Sequence, residues 1–459
     1  MITRILLVFL TCALLAACAE ETNPNPHGYY TPGETLTNLS RPPKPDRLIA
    51  ADERAGKFAL ITNPEDFNDG FISSKYGVWQ EVKLHESTGA ICGNGSPFKF
   101  YINRQPDNNN ITLNLEAGGA CWDYESCTGQ TGIRGARNPH GIPDNYMSNI
   151  DIAFMTPFLW RYNPLDRIEP QNWTQIYIPY CTGDIHSGDK VSVYEDPQGI
   201  NEPIVWHHKG LTNVRTVISW IRENLPRPTR VLTTGCSAGG TGSLVNYYFI
   251  RTRLQPDHGY LLNDSGPIFN AYNDGGAWKS RPLHEQIRNV WGLDPLIDAV
   301  QNEVAGVDKE NLGSIVNVLA ETFPQDRLGH THFSRDLNYS SYSYERFYDE
   351  IMSQPTRELK DDKILTFWEE DTANLMEQMD QYQNWAYFIP YYRDFIESHC
   401  TTIAEFKASD IQEAGVNIGN FINMLVNDDR ELKSYFETDK EADFNKPTNP
   451  FYTWLRKIL

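Results

Sequence analysis

The chain has 459 residues, of which 40% are apolar and 12% aromatic. That composition can supply a sizeable core and excludes an intrinsically disordered protein. The 40 basic and 60 acidic residues give a formal net charge of −20 at pH 7. Such a surface repels polyanions at long range, and the sequence has no basic run or helix-turn-helix pattern, so we expect no nucleic-acid partner.

The N-terminus has the pattern of a bacterial lipoprotein signal peptide over residues 1–17. Arg4 supplies the positive charge, and the apolar residues 5–17 are too few to span a bilayer as a stable helix. This stretch ends in "LAAC", and small residues before a cysteine are what the lipoprotein peptidase accepts. We therefore expect a lipid on Cys18. The alternative is an ordinary secretory signal that is cleaved nearby.

Residues 18–52 are polar and rich in proline and asparagine, a composition typical of a spacer. We expect the spacer to connect the membrane anchor to a single large domain over residues 53–459. Ala19 does not suggest retention at the inner membrane. The expected location is therefore the outer membrane, at its periplasmic face or at the cell surface, and we expect a monomer.

Eight cysteines occur in the chain, and Cys12 and Cys18 belong to the signal peptide and the lipidation site. An even number remains in an oxidising compartment, which predicts disulfides. The spacings do not form a zinc-binding pattern, so we expect no metal and no other cofactor. The six remaining cysteines are Cys92, Cys121, Cys127, Cys181, Cys236 and Cys400.

Four segments read as a strand that runs into a loop: "NITLNLEAGG" from residue 110, "TQIYIPYCTGD" from 174, "RVLTTGCSAGG" from 230 and "GYLLNDSGP" from 259. Helical periodicity marks "NVRTVISWIRENLP" from residue 213, "TGSLVNYYFIRTRL" from 241 and "NIGNFINMLVNDD" from 417. Strands that alternate with helices predict an α/β fold with a mostly parallel central sheet and helices on both faces. The chemistry of such sheets lies in the loops at the carboxyl ends of the strands.

One of these loops contains Gly235-Cys236-Ser237-Ala238-Gly239, which fits the motif G-x-S-x-G. In this motif the serine stands on a sharp turn between a strand and a helix, and only small neighbours allow that turn. The predicted strand before Ser237 and helix after it supply this context. The sequence therefore predicts that Ser237 is a nucleophile.

A serine hydroxyl needs a base to take its proton. In α/β-hydrolases the chain order is nucleophile, acid, histidine, and His399 is the histidine that follows every plausible acid. Three residues between them could be the acid of the triad: Asp264, Asp326 and Asp336. We prefer Asp336 because it ends the stretch "RLGHTHFSRD".

An oxyanion hole needs backbone N–H groups near the nucleophile. Ala238 follows the serine, and Gly118 and Gly119 follow an early strand, so these three residues are the candidates. A tight turn that needs glycine is the alternative explanation for the glycine pair.

Together these motifs resemble the pectin acetylesterase / Notum family. "LEAGGACWDYESC", "YIPYCTGDIHSGD", "GCSAGGTGS", "NDSGP" and "SHC" occur in the family's order, between about Cys92 and Val426. The resemblance implies an α/β-hydrolase-like fold and a carboxylesterase with the triad Ser237, Asp336 and His399. It also implies oxyanion donors at Gly118, Gly119 and Ala238, and the disulfides Cys121–Cys127 and Cys92–Cys181.

The sequence departs from the family at Trp122, which follows the loop cysteine, and after Asp336, where Leu-Asn stands. Both departures affect the expected substrate more than the reaction. Cys236 and Cys400 adjoin the serine and the histidine, which must meet within ~3 Å for proton transfer. We therefore expect a third disulfide between them, the alternative being two buried thiols.

The expected function is hydrolysis of an acyl ester on an acylated polysaccharide such as pectin. An acetyl ester is the expected form of that substrate. Two alternatives stay open: a non-catalytic glycan-binding surface lipoprotein on the same fold, and an esterase for a non-carbohydrate acyl ester. Four aromatic residues could form a sugar platform, although burial in the core is the commoner fate of tryptophan. These residues are Trp122, Tyr124, Trp160 and Trp206.

Overall fold

A ten-stranded sheet runs through the computed structural model of the protein. The structure describes residues 60–61, 77, 79–106, 108–144, 146–148, 156–159, 167–270 and 279–441. The predicted signal peptide, Cys18, the spacer and Trp160 lie outside the described residues. The predicted domain boundaries therefore stay predictions.

The strands cross the sheet in the order β1-β2-β3-β5-β4-β8-β9-β10-β11-β14. The pairs β1–β2, β2–β3 and β3–β5 are antiparallel, and the remaining pairs are parallel. The ten strands are β1 (Leu60–Ile61), β2 (Trp79–Lys83), β3 (Lys99–Asn103), β4 (Ile111–Leu115), β5 (Thr174–Ile178), β8 (Arg230–Cys236), β9 (His258–Asp264), β10 (Arg327–Thr331), β11 (Trp385–Ile389) and β14 (Tyr435–Phe436).

The eight strands from β2 to β11 in this sheet follow one another across it in the chain order 1-2-4-3-5-6-7-8. The G-x-S-x-G motif spans the end of the fifth of them, β8, and the start of the helix that follows it. This is the α/β-hydrolase arrangement. The predicted fold class, with a mostly parallel sheet and a single large domain, is confirmed, and β4, β5, β8 and β9 coincide with the four predicted strands.

The strand register brings the carboxyl ends of the parallel strands to one edge of the sheet. Leu115 at the end of β4 pairs with Gly235, and Cys236 at the end of β8 pairs with Asp264. Asp264, which ends β9, pairs in turn with Thr331 at the end of β10. The loops that leave these strands therefore meet at this edge, where ligands bind in open α/β sheets.

Ten α-helices lie among the described residues, and three of them, α2, α3 and α10, are the predicted ones. The apolar faces expected for α2 and α10 are buried. The helices are α1 (Tyr124–Cys127), α2 (Gly210–Asn224), α3 (Ala238–Leu254), α4 (Arg281–Trp291), α5 (Asp294–Glu303), α6 (Ile315–Thr322), α7 (Leu337–Tyr344), α8 (Asp349–Met352), α9 (Arg357–Met379) and α10 (Ile418–Leu425).

Helices cover both faces of the sheet because successive residues of a strand point to opposite sides. On β9, Leu261 packs in one cluster with Leu244 of α3. Its neighbour Leu262 packs in another cluster with Phe421 of α10. The buried strands are apolar on both sides, as is usual in a parallel sheet.

Two small antiparallel sheets lie outside the main one. The first pairs β6 (Lys190–Tyr194) with β7 (Ile204–His208), and the second pairs β12 (Asp410–Ile411) with β13 (Val416–Asn417). None of the helices in the described ranges is both long and apolar enough to cross a membrane.

Candidate active site

Ser237 stands on the turn between β8 and α3, with φ 56° and ψ −122°. A positive φ is strained for a residue with a side chain and persists only where its surroundings enforce it. The Ser237 amide donates to the Asp264 carbonyl oxygen at 2.8 Å, and the Ser237 carbonyl accepts from Thr241 N at 3.0 Å. Neighbouring strand and helix therefore fix the turn from both sides.

The glycines of the motif are required by close backbone contact. A Cβ added at Gly239 would lie 2.1 Å from the Leu115 carbonyl oxygen, and one at Gly235 would lie 2.5 Å from the same atom. Because these neighbours are backbone atoms of β4, they cannot swing away. Small residues here allow α3 to start directly against the sheet. The turn therefore leaves Ser237 at the carboxyl edge of the sheet.

His399 and Asp336 form a hydrogen-bonded pair at this edge, with 2.8 Å between Nδ1 and Oδ2. The other carboxylate oxygen of Asp336 accepts from Tyr339 N at 2.9 Å, so Asp336 also caps the start of α7. Burial raises the pKa of Asp336, and the adjacent imidazole opposes that rise. Nδ1 is the donor to this carboxylate, which leaves Nε2 as the basic nitrogen.

Ser237 and His399 line the same cavity. The Ser237 hydroxyl donates to the Gly118 carbonyl oxygen at 3.4 Å. Among the described residues, no hydrogen bond joins this hydroxyl to His399; catalytic hydrogen bonds are often long without substrate and tighten in the complex.

The three residues predicted to donate to the oxyanion line the same cavity as Ser237. Ala238 is the first residue of α3, so its amide is a free donor of the helix start. Gly118 and Gly119 follow β4 and line the cavity with it. Within the described residues, none of the three amides donates a backbone hydrogen bond. The structure therefore places the three predicted oxyanion residues at the cavity of Ser237, and their role as donors stays a prediction.

Asp264, one of the three candidate acids, holds the loop that carries His399. Its Oδ1 accepts from the amide and hydroxyl of Thr401 at 2.9 and 3.1 Å. Its Oδ2 accepts from the amide and hydroxyl of Thr402 at 2.9 and 2.7 Å. These bonds occupy both carboxylate oxygens, so Asp264 acts on the loop rather than on the imidazole.

Asp326, the remaining candidate, lies just before β10, at the opposite edge of the sheet from the serine. It accepts from Arg251 Nε at 2.7 Å and from the Tyr247 hydroxyl at 2.9 Å. Asp326 is therefore a structural ion-pair partner, and the geometry leaves Asp336 as the acid next to His399.

Non-glycine residues with positive φ are concentrated in residues 396–404, the segment that contains His399. Arg393 holds this base loop through its carbonyls, donating to His399 O at 3.0 Å and to Cys400 O at 2.6 Å. The Cys400 amide donates to Ser265 Oγ at 3.1 Å. Sequence reasoning missed Arg393, because nothing local marks an arginine as a loop clamp.

Three disulfides are present, Cys92–Cys181, Cys121–Cys127 and Cys236–Cys400. These are the three pairs expected from the resemblance and from the position of the last pair beside Ser237 and His399. Among the described residues, Cys236, His399 and Cys400 are the group whose ligand atoms lie within 4.8 Å of one another. Both sulfurs are in the disulfide and cannot act as thiolate ligands.

The cavity has a volume of about 620 Å³ and two chemically different arms. One arm is apolar and includes Ile185, Ile268, Leu283 and Ile287. His284 also lies there, and burial lowers its pKa to about 3, which keeps this imidazole neutral. The apolar arm therefore offers no charge to a ligand.

The other arm is polar and includes Glu116, Arg137, Asn138 and Tyr177. The Glu116 carboxylate accepts from Asn138 Nδ2 at 3.2 Å and from Tyr180 N at 2.7 Å, and Arg137 Nε lies 3.4 Å away. The arginine is therefore already paired with an acid, so the polar arm has no excess positive charge.

Of the aromatic residues suggested as a sugar platform, the three in the described part of the chain do not present open faces. One face of Trp122 stacks on Tyr342, with 5.0 Å between ring centroids, and the Arg346 guanidinium lies 4.4 Å from the ring centroid. Tyr124 and Trp206 are buried in the protein interior. Burial in the core, the alternative explanation for these residues, therefore describes Trp122, Tyr124 and Trp206.

The fold and this site define an α/β-hydrolase with a serine on the nucleophile turn. In comparison with known proteins, residues 76–295 match the family model Pectinacetylesterase. The chain is 24% identical over 262 residues to pectin acetylesterase 4 of Arabidopsis thaliana, covering 56% of this chain and 57% of that protein. It is also 22% identical over 215 residues to Arabidopsis thaliana pectin acetylesterase 5, covering 46% of this chain and 47% of that protein.

The chain further resembles the palmitoleoyl-protein carboxylesterase NOTUM of Homo sapiens, with 23% identity over 204 residues, 40% of this chain and 37% of that protein. A crystal structure of the Wnt deacylase Notum from Drosophila superimposes with a TM-score of 0.49 and 17% identity, covering 78% of this chain and 97% of that chain. The predicted resemblance to this family is confirmed, with the family model matching residues 76–295 of the chain. It spans about half the length of the two Arabidopsis relatives.

We expect Asp264→Asn to lower both stability and the activity that depends on His399. An amide replaces one acceptor oxygen with N–H donors that face the N–H groups of the base loop, and breaking buried hydrogen bonds to a charged group costs about 1.5–3 kcal/mol each. Denaturant unfolding and the turnover of p-nitrophenyl acetate measure the two effects. The Asp429→Asn variant, at an exposed residue, is the matched control. Equal stability and activity of the two variants would contradict the role of Asp264.

Proposed function

We propose that this protein is a serine carboxylesterase that hydrolyses acyl esters through Ser237, His399 and Asp336. The observation that carries the proposal is the His399–Asp336 hydrogen bond of 2.8 Å in the same cavity as a serine on a strained turn. The nucleophile, the acid and the base occur along the chain in the order that is found in α/β-hydrolases.

In the proposed reaction, Ser237 Oγ attacks the ester carbonyl and His399 Nε2 takes the hydroxyl proton. The amides of Gly118, Gly119 and Ala238 donate to the oxyanion of the tetrahedral intermediate. His399 then gives its proton to the leaving alcohol, and Asp336 stabilises the imidazolium throughout. Water, activated by the same histidine, cleaves the acyl-enzyme and restores the serine.

The substrate proposed first is the acetyl ester of a polysaccharide such as pectin. The names of the matched Arabidopsis thaliana relatives support this choice, and the polar arm supplies groups that can bind an alcohol rich in hydroxyls. The net charge of −20 and the pairing of Arg137 with Glu116 favour sugars of low charge density over a heavily de-esterified, polyanionic pectin.

A longer acyl group is the second candidate, and the apolar arm favours it. The side chains of Ile268, Leu283 and Ile287 would bury methylene groups that an acetyl group lacks. Each buried methylene is worth about 0.8 kcal/mol. The remaining alternative is a glycan-binding lipoprotein without catalysis, which hydrolysis of p-nitrophenyl acetate would rule out.

Ser237→Ala and Asp336→Asn are expected to lower kcat on p-nitrophenyl acetate by on the order of 10⁴-fold. The first change removes the nucleophile and the second removes the charge that orients and stabilises His399. Asp326→Asn is the matched control, because this carboxylate pairs with Arg251 and Tyr247 away from the serine. Full activity of Ser237→Ala, or an inactive Asp326→Asn beside a normal Asp336→Asn, would contradict the assignments.

Ile287→Trp is expected to lower the ratio of kcat/KM for p-nitrophenyl octanoate to kcat/KM for the acetate by at least about tenfold. The indole would fill the apolar arm, so a long chain would lose its burial while an acetyl group would lose little. The matched control is Ile200→Trp, at a residue that is 74% exposed and lies outside the cavity. An unchanged ratio would mean that the acyl chain does not enter this arm.

We also propose that the protein is an outer-membrane lipoprotein anchored through Cys18. The sequence "LAAC" and the polar spacer of residues 18–52 support this proposal. Cys18→Ser is expected to release the protein into the soluble periplasmic fraction, because the thiol that carries the lipid is lost. Cell fractionation with immunoblotting measures the shift, and unchanged membrane association would contradict lipidation.

A further inference from the structure

A second cavity of about 360 Å³ adjoins the active-site cavity. Ala120, Arg134 and Tyr342 line both cavities, so they form a shared wall next to the oxyanion residue Gly119. The volume falls within the ~300–1,000 Å³ typical of small-molecule sites. The mechanism proposed above makes no use of this space.

Two buried polar atoms at this cavity lack partners. Trp122 is 7% exposed and Ser341 is 2% exposed, and both residues line the cavity. Within the described part of the chain, neither Trp122 Nε1 nor Ser341 Oγ has a hydrogen-bond partner. An unpaired buried polar group costs free energy, so each unpaired group in a native structure requires an explanation. A bound ligand that accepts from the indole and bonds the hydroxyl would supply both missing partners.

The charges around the cavity are already balanced. Arg134 lies 3.1 Å from Glu345 and 3.5 Å from Glu397, and Glu345 also contacts Lys360 at 2.6 Å. Arg346 lies 3.7 Å from Asp123, and its half-exposed side chain covers the Trp122 ring. A ligand carboxylate would meet Glu345 and Asp123 as well as the arginines. Neutral hydroxyl groups, which both donate and accept, fit these surroundings better.

We propose that the second cavity is a subsite for a sugar unit of the polysaccharide whose ester is bound at Ser237. This inference rests on the proposed function and adds where the glycan lies. Ser341 Oγ and the indole N–H of Trp122 bind hydroxyl groups of that sugar, and Met352 and Ala120 contact its apolar face. Arg134, which lines both cavities, lies along the path between them.

The first test is direct binding, which does not require hydrolysis. Isothermal titration calorimetry uses the full protein and unacetylated neutral tetrasaccharides of xylose, glucose, galactose and mannose, with the matching monosaccharides and tetragalacturonate alongside. At least one neutral tetrasaccharide is expected to bind about tenfold more tightly than its monosaccharide. Binding of tetragalacturonate alone would overturn recognition through neutral hydroxyls, and no gain from monosaccharide to tetrasaccharide would overturn the subsite.

The second test blocks the cavity at its mouth. Met352 is 56% exposed, so Met352→Trp fills the entrance without overpacking the core. The matched control is Leu359→Trp, at a residue of α9 that is 47% exposed and lies outside both cavities. Met352→Trp is expected to weaken tetrasaccharide binding about tenfold, and to lower by the same factor the ratio of kcat/KM on the acetylated tetrasaccharide to that on p-nitrophenyl acetate. Leu359→Trp should change neither.

Tetrasaccharide binding that is the same in both variants would overturn the proposed position of the sugar. A wild-type protein that binds the tetrasaccharide but hydrolyses no ester would contradict the proposed function and leave the subsite supported. A protein that hydrolyses p-nitrophenyl acetate but binds a longer glycan no more tightly than a monosaccharide would support the proposed function and contradict the subsite. The two failures are therefore distinguishable.

Discussion

Asp264 connects the two halves of the site. Its backbone carbonyl accepts from Ser237 N at 2.8 Å, which fixes the nucleophile turn. Its side-chain oxygens accept from the amides of Thr401 and Thr402, which lie in the same loop as His399 and Cys400. One buried residue at the end of β9 therefore sets where the serine and the histidine stand relative to each other.

A buried carboxylate without an arginine or lysine beside it is costly unless hydrogen bonds replace its water. Here the two threonines each donate through both amide and hydroxyl, and Ser265 Oγ donates at 2.9 Å. Arg393 and the Cys236–Cys400 disulfide hold the same loop from other directions. This redundancy explains how a segment with several non-glycine residues at positive φ keeps one conformation.

The cavity chemistry follows from which segments cross the carboxyl edge of the sheet. The loop after β4 brings the glycine pair and Glu116, and α4 brings Leu283 and Ile287. The polar and apolar arms therefore come from different parts of the chain and meet at Ser237. The chain departs from its family at Trp122, and this residue packs between Tyr342 and Arg346, where the second cavity begins.

Local pattern and chain order determined much of this protein from the sequence alone. Apolar periodicity located β4, β5, β8 and β9 and the helices α2, α3 and α10. The reason is that a buried helix face or a buried strand requires apolar residues at regular, closely spaced positions along the chain. The glycine motif and the order of Ser237 and His399 predicted the site, since a strand–turn–helix needs those small residues locally. Only tertiary structure separated Asp336 from Asp264 and Asp326, and only it revealed Arg393 and the second cavity. The physical reason is sequence distance: Asp264 and Thr401 are 137 residues apart, and their hydrogen bond exists only once the sheet has brought the two loops to the same edge.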